Sequence, residues 1–190
     1  MMMLRLALLL LALLAPSAWA EKDRNAADKP QPQAPAGPAV TGLRVEIVER
    51  GLYQTNAPGQ VRQMPNGIGE NLVESVELMR STTAIPARPG VSFGFEFVLH
   101  GQPAGTELEL TTTVVFPPPG LRPPGAAGPV ASSTTPMTVR LGEQGAVYRG
   151  YTFDYEWEVA PGPWRFEVRL GERILAVQSF VVTSESGFSK

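Results

Sequence analysis

The stretch TFDYEWEVAPGPWRFEV, residues 152–168, sets carboxylates at Asp154, Glu156 and Glu158 among the aromatics Phe153, Tyr155, Trp157 and Trp164, with Tyr151 just ahead of it. Acids at this spacing can work as a paired general acid and base, hold a hard cation, or form the wet face of a strand. On an extended strand, residues two apart share a face, so the three acids line one side and Phe153, Tyr155 and Trp157 the other. Their spacing works against a single ion. Neighbours on such a face stand about 6.6 Å apart, whereas two ligands of one calcium lie within about 5 Å. The expectation is a solvent-facing acid row, with Tyr151, Asp154, Tyr155, Glu156, Trp157, Glu158 and Trp164 as the candidate ligand-binding residues. No catalytic residue, metal site or cofactor is expected. Trp157 and Trp164 each fall in the apolar phase of a strand, which favours core packing over ligand stacking.

Other chemistry lacks its partners. The chain has no cysteine, hence no thiolate nucleophile, thiolate metal site or disulfide. His100 is the only histidine and follows directly on an apolar strand pattern, so it reads as a surface turn residue. A zinc site or a Ser-His-Asp triad needs companions that are missing. Ser81-Thr82-Thr83 and Ser132 to Thr135 have no Gly-x-Ser-x-Gly context. The run GQVRQMPNGIGEN, residues 59–71, reads as a polar loop and lacks the strand-to-helix setting of a phosphate loop.

The elements that must carry these residues are strands. Leu43, Val45 and Ile47 alternate with polar residues, as do Val76 and Leu78, then Phe93, Phe95, Phe97 and Leu99, then Leu108, Leu110, Thr112 and Val114. That period of two marks half-buried strands. Further strands are expected near Met137 to Leu141, through Val147 to Val159, and in a last pair, Trp164 to Leu170 and Arg173 to Val182, joined at Gly171-Glu172. Pro117 to Val130, PPPGLRPPGAAGPV, excludes helix and central strand and reads as a long exposed loop. Pro161 and Pro163 lack a backbone donor, which suits a corner between two sheets better than a tight hairpin. If it were a hairpin, Glu158 would face Arg165. About eight short strands in about 145 residues point to an all-β, immunoglobulin-like antiparallel β-sandwich of about seven to nine strands.

The ends of the chain differ in composition. Residues 1–20, MMMLRLALLLLALLAPSAWA, have one charge at Arg5, an apolar run from Leu6 to Leu14 and small residues at Ala18 and Ala20, the pattern of a signal peptide cleaved after Ala20. The apolar run is too short to span a bilayer, which takes about 20 residues. Residues 21–39 contain one aliphatic-poor stretch, EKDRNAADKPQPQAPAGP, that reads as a disordered leader. The sandwich is expected over 40–184 and a flexible tail over 185–190. Lys and Arg number 16 against 18 Asp and Glu. Removing Arg5 with the signal shifts the net charge from −2 to −3. Scattered cations at that balance exclude a nucleic-acid binder.

With the strands placed, two segments resemble a known family: IPARPGVSFGFEFVLHGQPAG, residues 85–105, and FDYEWEVAPGPWRFEVRLGERILAVQSFVV, residues 153–182. The residues that carry the likeness are Ile85-Pro86-Ala87, Gly90, Phe93-Gly94, Gly101, Pro103, Gly105, Trp157-Glu158, Pro161-Gly162, Trp164 and Phe180. They are similar to a bacterial, often exported family catalogued as a domain of unknown function, which implies an immunoglobulin-like sandwich and no particular activity.

The functional expectation is a non-enzymatic interaction module, periplasmic or secreted, that binds another cell-envelope protein through a sheet edge or the end loops. The alternative is a small-molecule or glycan binder that uses Tyr151, Tyr155, Trp157 and Trp164. Nothing in the sequence sets an oligomeric state.

Overall fold

A computed structural model of the chain describes residues 42–56, 61–71, 73–142 and 145–184. The expected signal, leader and tail lie outside the described residues. The strands run β1 (Arg44–Asn56), β2 (Val61–Gln63), β3 (Gly69–Asn71), β4 (Ser75–Ser81), β5 (Ala84–Pro86), β6 (Ser92–His100), β7 (Glu107–Val115), β8 (Ser132–Arg140), β9 (Val147–Thr152), β10 (Gly162–Leu170) and β11 (Arg173–Thr183). Nine of them form a sandwich, with β4-β1-β6-β9 in one sheet and β5-β11-β10-β7-β8 in the other, while β2 and β3 form a separate hairpin. Neighbours are antiparallel except β5 and β11.

The alternation in β6 explains why the layers stick. Phe93, Phe95 and Phe97 share one face and are fully buried, and opposite them Trp164, Phe166 and Val168 of β10 and Phe180 of β11 are buried too. Phe93 is the hub: its ring centroid lies 5.5 Å from Trp164, 5.9 Å from Phe166 and 5.3 Å from Phe180, each edge to face. Burying one such side chain contributes about 1.5–3 kcal/mol, and the edge-on geometry adds to that. Leu110 joins this core, while Val45, Ile47, Val114 and Trp157, in the apolar phase of the sequence pattern, are half-buried and pack against its rim.

The corner is where the sequence placed it. The chain leaves the first sheet with β9 and enters the second with β10, so Ala160 to Pro163 crosses between layers and no β9–β10 ladder exists. Across the second sheet, β10 and β11 close through Gly171-Glu172, where Gly171 takes a positive φ of 54° that suits this two-residue turn.

Three expectations are corrected. The strand expected over 147–159 stops at Thr152, and Glu156–Glu158 forms one turn of 3-10 helix. The proline-rich run is not simply exposed: Leu121 is 1% exposed and exchanges two backbone hydrogen bonds with Val130, 2.9 and 2.7 Å, which pins the loop to the core. The polar loop of 59–71 contains the β2–β3 hairpin, with Ile68 buried at its tip. This segment forms an arm. It leaves the first sheet after β1 and returns at β4, yet Asn66 Nδ2 donates to Ser133 Oγ of β8 across 3.1 Å.

Candidate functional site

The acid row does not exist as a row. Glu158 turns inward and is 3% exposed. Its Oε2 accepts the backbone N–H groups of Asp154 and Tyr155, at 2.6 and 2.9 Å, and its Oε1 accepts the Tyr151 hydroxyl at 3.1 Å. Three donors on one carboxylate wind the chain into the turn and end β9. Asp154 and Glu156 stay on the surface. The missed signal was Glu158 three residues after Tyr155, the spacing at which a glutamate reaches back to cap the start of a helical turn. The same residues also satisfy a period of two, and the local capping bonds prevailed. Burial pushes the Glu158 carboxyl above the ordinary glutamate range, with the three hydrogen bonds pulling the other way. Burial, reinforced by the Glu158 charge, also pushes the Tyr151 phenol up.

The aromatics divide. Trp164 is completely buried, donates Nε1–H to Ala160 O at 2.8 Å, and meets Phe116 and Tyr151 with centroids 5.0 Å away. It anchors the corner and leaves the set of ligand-stacking candidates. Tyr155 is 61% exposed and stacks on half-buried Trp157, centroids 6.0 Å apart and planes 11° from parallel. His100 at the end of β6 meets Glu46 at 2.9 Å on the surface. Among the described residues, no group of three or more His, Asp or Glu could hold a metal ion.

What the fold does bring together is a cavity of about 470 Å³ between the arm, β9, β7 and β8. Tyr151 and Asp154 of the expected set line it, whereas Tyr155, Glu156, Trp157, Glu158 and Trp164 do not. Arg149 is the residue that sequence reasoning overlooked. Its backbone pairs with Phe95, whose side chain is core, so alternation along β9 points Arg149 inward with Val147 and Tyr151. Guanidinium Nε donates to Met137 Sδ, a weak acceptor, at 3.3 Å, and one Nη makes a long contact of 3.5 Å with Tyr148 O. Burial lowers its pKa, and the carboxylate of Glu70 on the arm partly offsets this. Hydroxyls of Thr112, Ser133 and Thr135 complete the inner wall. The signal was present as an arginine between Val147 and Tyr151, in the dry phase of a strand.

Two facing sheets joined by a sheet-crossing corner, with an aromatic-rich seam between them, define an immunoglobulin-like β-sandwich. The chain belongs to the family Domain of unknown function (DUF3859), whose sequence profile matches residues 43–182. It is similar in fold to an immunoglobulin-like protein from Pseudomonas aeruginosa solved at 1.50 Å, with a TM-score of 0.55 and 24% identity over 76% of this chain and 99% of that one. No curated protein matches the sequence.

Proposed function

We propose that the protein is a non-enzymatic interaction module, exported to the periplasm or secreted, that docks on another cell-envelope protein. The observation that carries the reading is an apolar strip on β11. Ile174, Val177 and Val181 are exposed on the outer side of the five-stranded sheet. Beside them on β10, Glu167 is buried between Arg165 and Arg169, which leaves a cationic margin along the strip. Such a surface suits a partner that brings apolar side chains edged by carboxylates. Export is supported by residues 1–20, and no helix among the described residues is long and apolar enough to cross a membrane.

The test is site-specific photocrosslinking in the native host. A crosslinker at position 177 is expected to trap one defined adduct that an Arg165→Glu change weakens, while the same group at Glu46, on the other sheet, traps none. Equal labelling from both positions, or none from position 177, refutes the docking face. Mass analysis of the mature chain should give Glu21 as its first residue; an intact Met1 in the cytoplasm refutes export.

A second reading is small-molecule binding, favoured by the cavity beneath the arm. Its volume falls within the range of about 300–1,000 Å³ common to small-ligand sites. The surface aromatics expected to serve it do not converge, so the reading moves to the cavity walls.

A further inference from the structure

Among the described residues, the cavity beneath the arm is lined by one cation, Arg149, and three acids, Glu70, Glu74 and Asp154. A guanidinium carries five N–H donors in a planar fork. Here the hydrogen bonds it makes to the protein end on a thioether and on its own neighbour's carbonyl. Neither neutralises it. Glu70, the acid that acts on Arg149 from the arm, is held by Arg62 at 3.5 Å. Half-buried in the cavity wall, the guanidinium therefore keeps donors that face the cavity and have no strong acceptor in the protein.

A bidentate carboxylate is the group that matches the fork. The acids around the rest of the wall select against phosphate and other multiply charged anions, and they offer a counter-charge to a cation. We propose that the cavity binds a zwitterion of amino-acid or dipeptide size, with its carboxylate on Arg149 and its ammonium toward the acids of the arm side, Glu70 and Glu74. The inference rests on the small-molecule reading and narrows it to one ligand class. Hydroxyls on β7 and β8 would meet the ligand's remaining polar atoms, and Met64, Ile68 and Val73 of the arm would cover its apolar side.

The experiment is calorimetric titration of the mature chain with the twenty amino acids and a panel of dipeptides. Saturable binding of at least one zwitterion is expected, together with at least tenfold loss when its carboxylate is amidated or its ammonium acetylated. Arg149→Gln should abolish the carboxylate preference and Glu70→Gln should weaken binding. The comparison of free acid with amide uses the unaltered protein, so a variant that fails to fold leaves the test standing. Binding of the amide as tight as the acid, or binding unchanged in a folded Arg149→Gln protein, overturns the inference. If inorganic phosphate or neutral disaccharides bind in the cavity and no zwitterion does, the inference falls and the small-molecule reading survives; if nothing binds, both fall.

Discussion

Tyr151, near the end of β9, donates its hydroxyl to Glu158 Oε1 across 3.1 Å and so ties the sheet edge to the turn that follows it. Glu158 also accepts two backbone N–H groups, so its loss leaves three donors without their acceptor. Glu158→Ala is expected to destabilise the fold by about 2–4 kcal/mol, and Tyr151→Phe, which removes one donor and leaves the other bonds, by about 1 kcal/mol. Urea unfolding of the three proteins checks the order. Equal stability of wild type and Glu158→Ala would refute the capping role.

The same carboxylate predicts a pH dependence. Burial raises its folded pKa above the ordinary 4.5, so the native state holds a proton that the unfolded chain has released. The stabilisation is therefore complete below about pH 4.5 and declines as pH rises through the folded pKa. Wild type should lose stability over that interval, and Glu158→Gln, with nothing to titrate there, should show a flatter profile in parallel melts. A profile that rises with pH in wild type, and loses that rise in Glu158→Gln, would mean that the hydrogen bonds outweigh burial.

On the outer face of the first sheet, Tyr53 and Tyr148 lie 4.8 Å apart, and burial followed by nearby charge raises both phenols, as it raises Tyr151. Raised phenol pKa values stabilise the fold below the ordinary value of 10.0, and that stabilisation is lost as pH rises above it. Tyrosinate absorbance should therefore develop for these residues only with alkaline unfolding. Full, reversible ionisation of every tyrosine in the folded protein near the ordinary value would contradict the packing.

Much of this arrangement was legible in the chain, and the exceptions have two causes. Phe93, Phe95 and Phe97 announced their strand because β6 is dry on one face along most of its length, and Pro161 and Pro163 announced the corner because they supply no donors to a ladder. Asp154 to Glu158 was ambiguous because acids and aromatics two apart also contain a capping pair three apart. The cavity was invisible for a different reason. Ile68 and Glu70 of the arm, Ser133 of β8 and Arg149 of β9 come to line one cavity only when the arm crosses from one sheet to the other, and no local pattern encodes that crossing.

Close packing over β9 makes small residues necessary. A Cβ on Gly150 would collide with the Tyr148 hydroxyl end and with Phe93 O, and one on Gly94 with the backbone of Arg149. Backbone cannot yield as a side chain can, so Gly94→Ala and Gly150→Ala should each cost about 1–3 kcal/mol. Gly128 has no atom within 4 Å of such a Cβ, so Gly128→Ala should be neutral or stabilise by up to about 1 kcal/mol. Thermal melts showing all three variants alike would remove the ring-over-glycine packing as a constraint.

Arg149 links stability to binding. Its hydrogen bonds end on Met137 Sδ and Tyr148 O, and Glu70 on the arm answers its charge only in part. Replacing a half-buried, partly compensated charge with an apolar side chain of similar length often stabilises a fold, so Arg149→Met should raise stability by up to about 1 kcal/mol while removing zwitterion binding. An inward charge on an edge strand has another recognised use, to discourage pairing with a second molecule's edge. The two roles separate in one preparation. A site held for a ligand predicts a more stable, monomeric, non-binding Arg149→Met protein, whereas edge protection predicts concentration-dependent association by light scattering with little change in melting temperature.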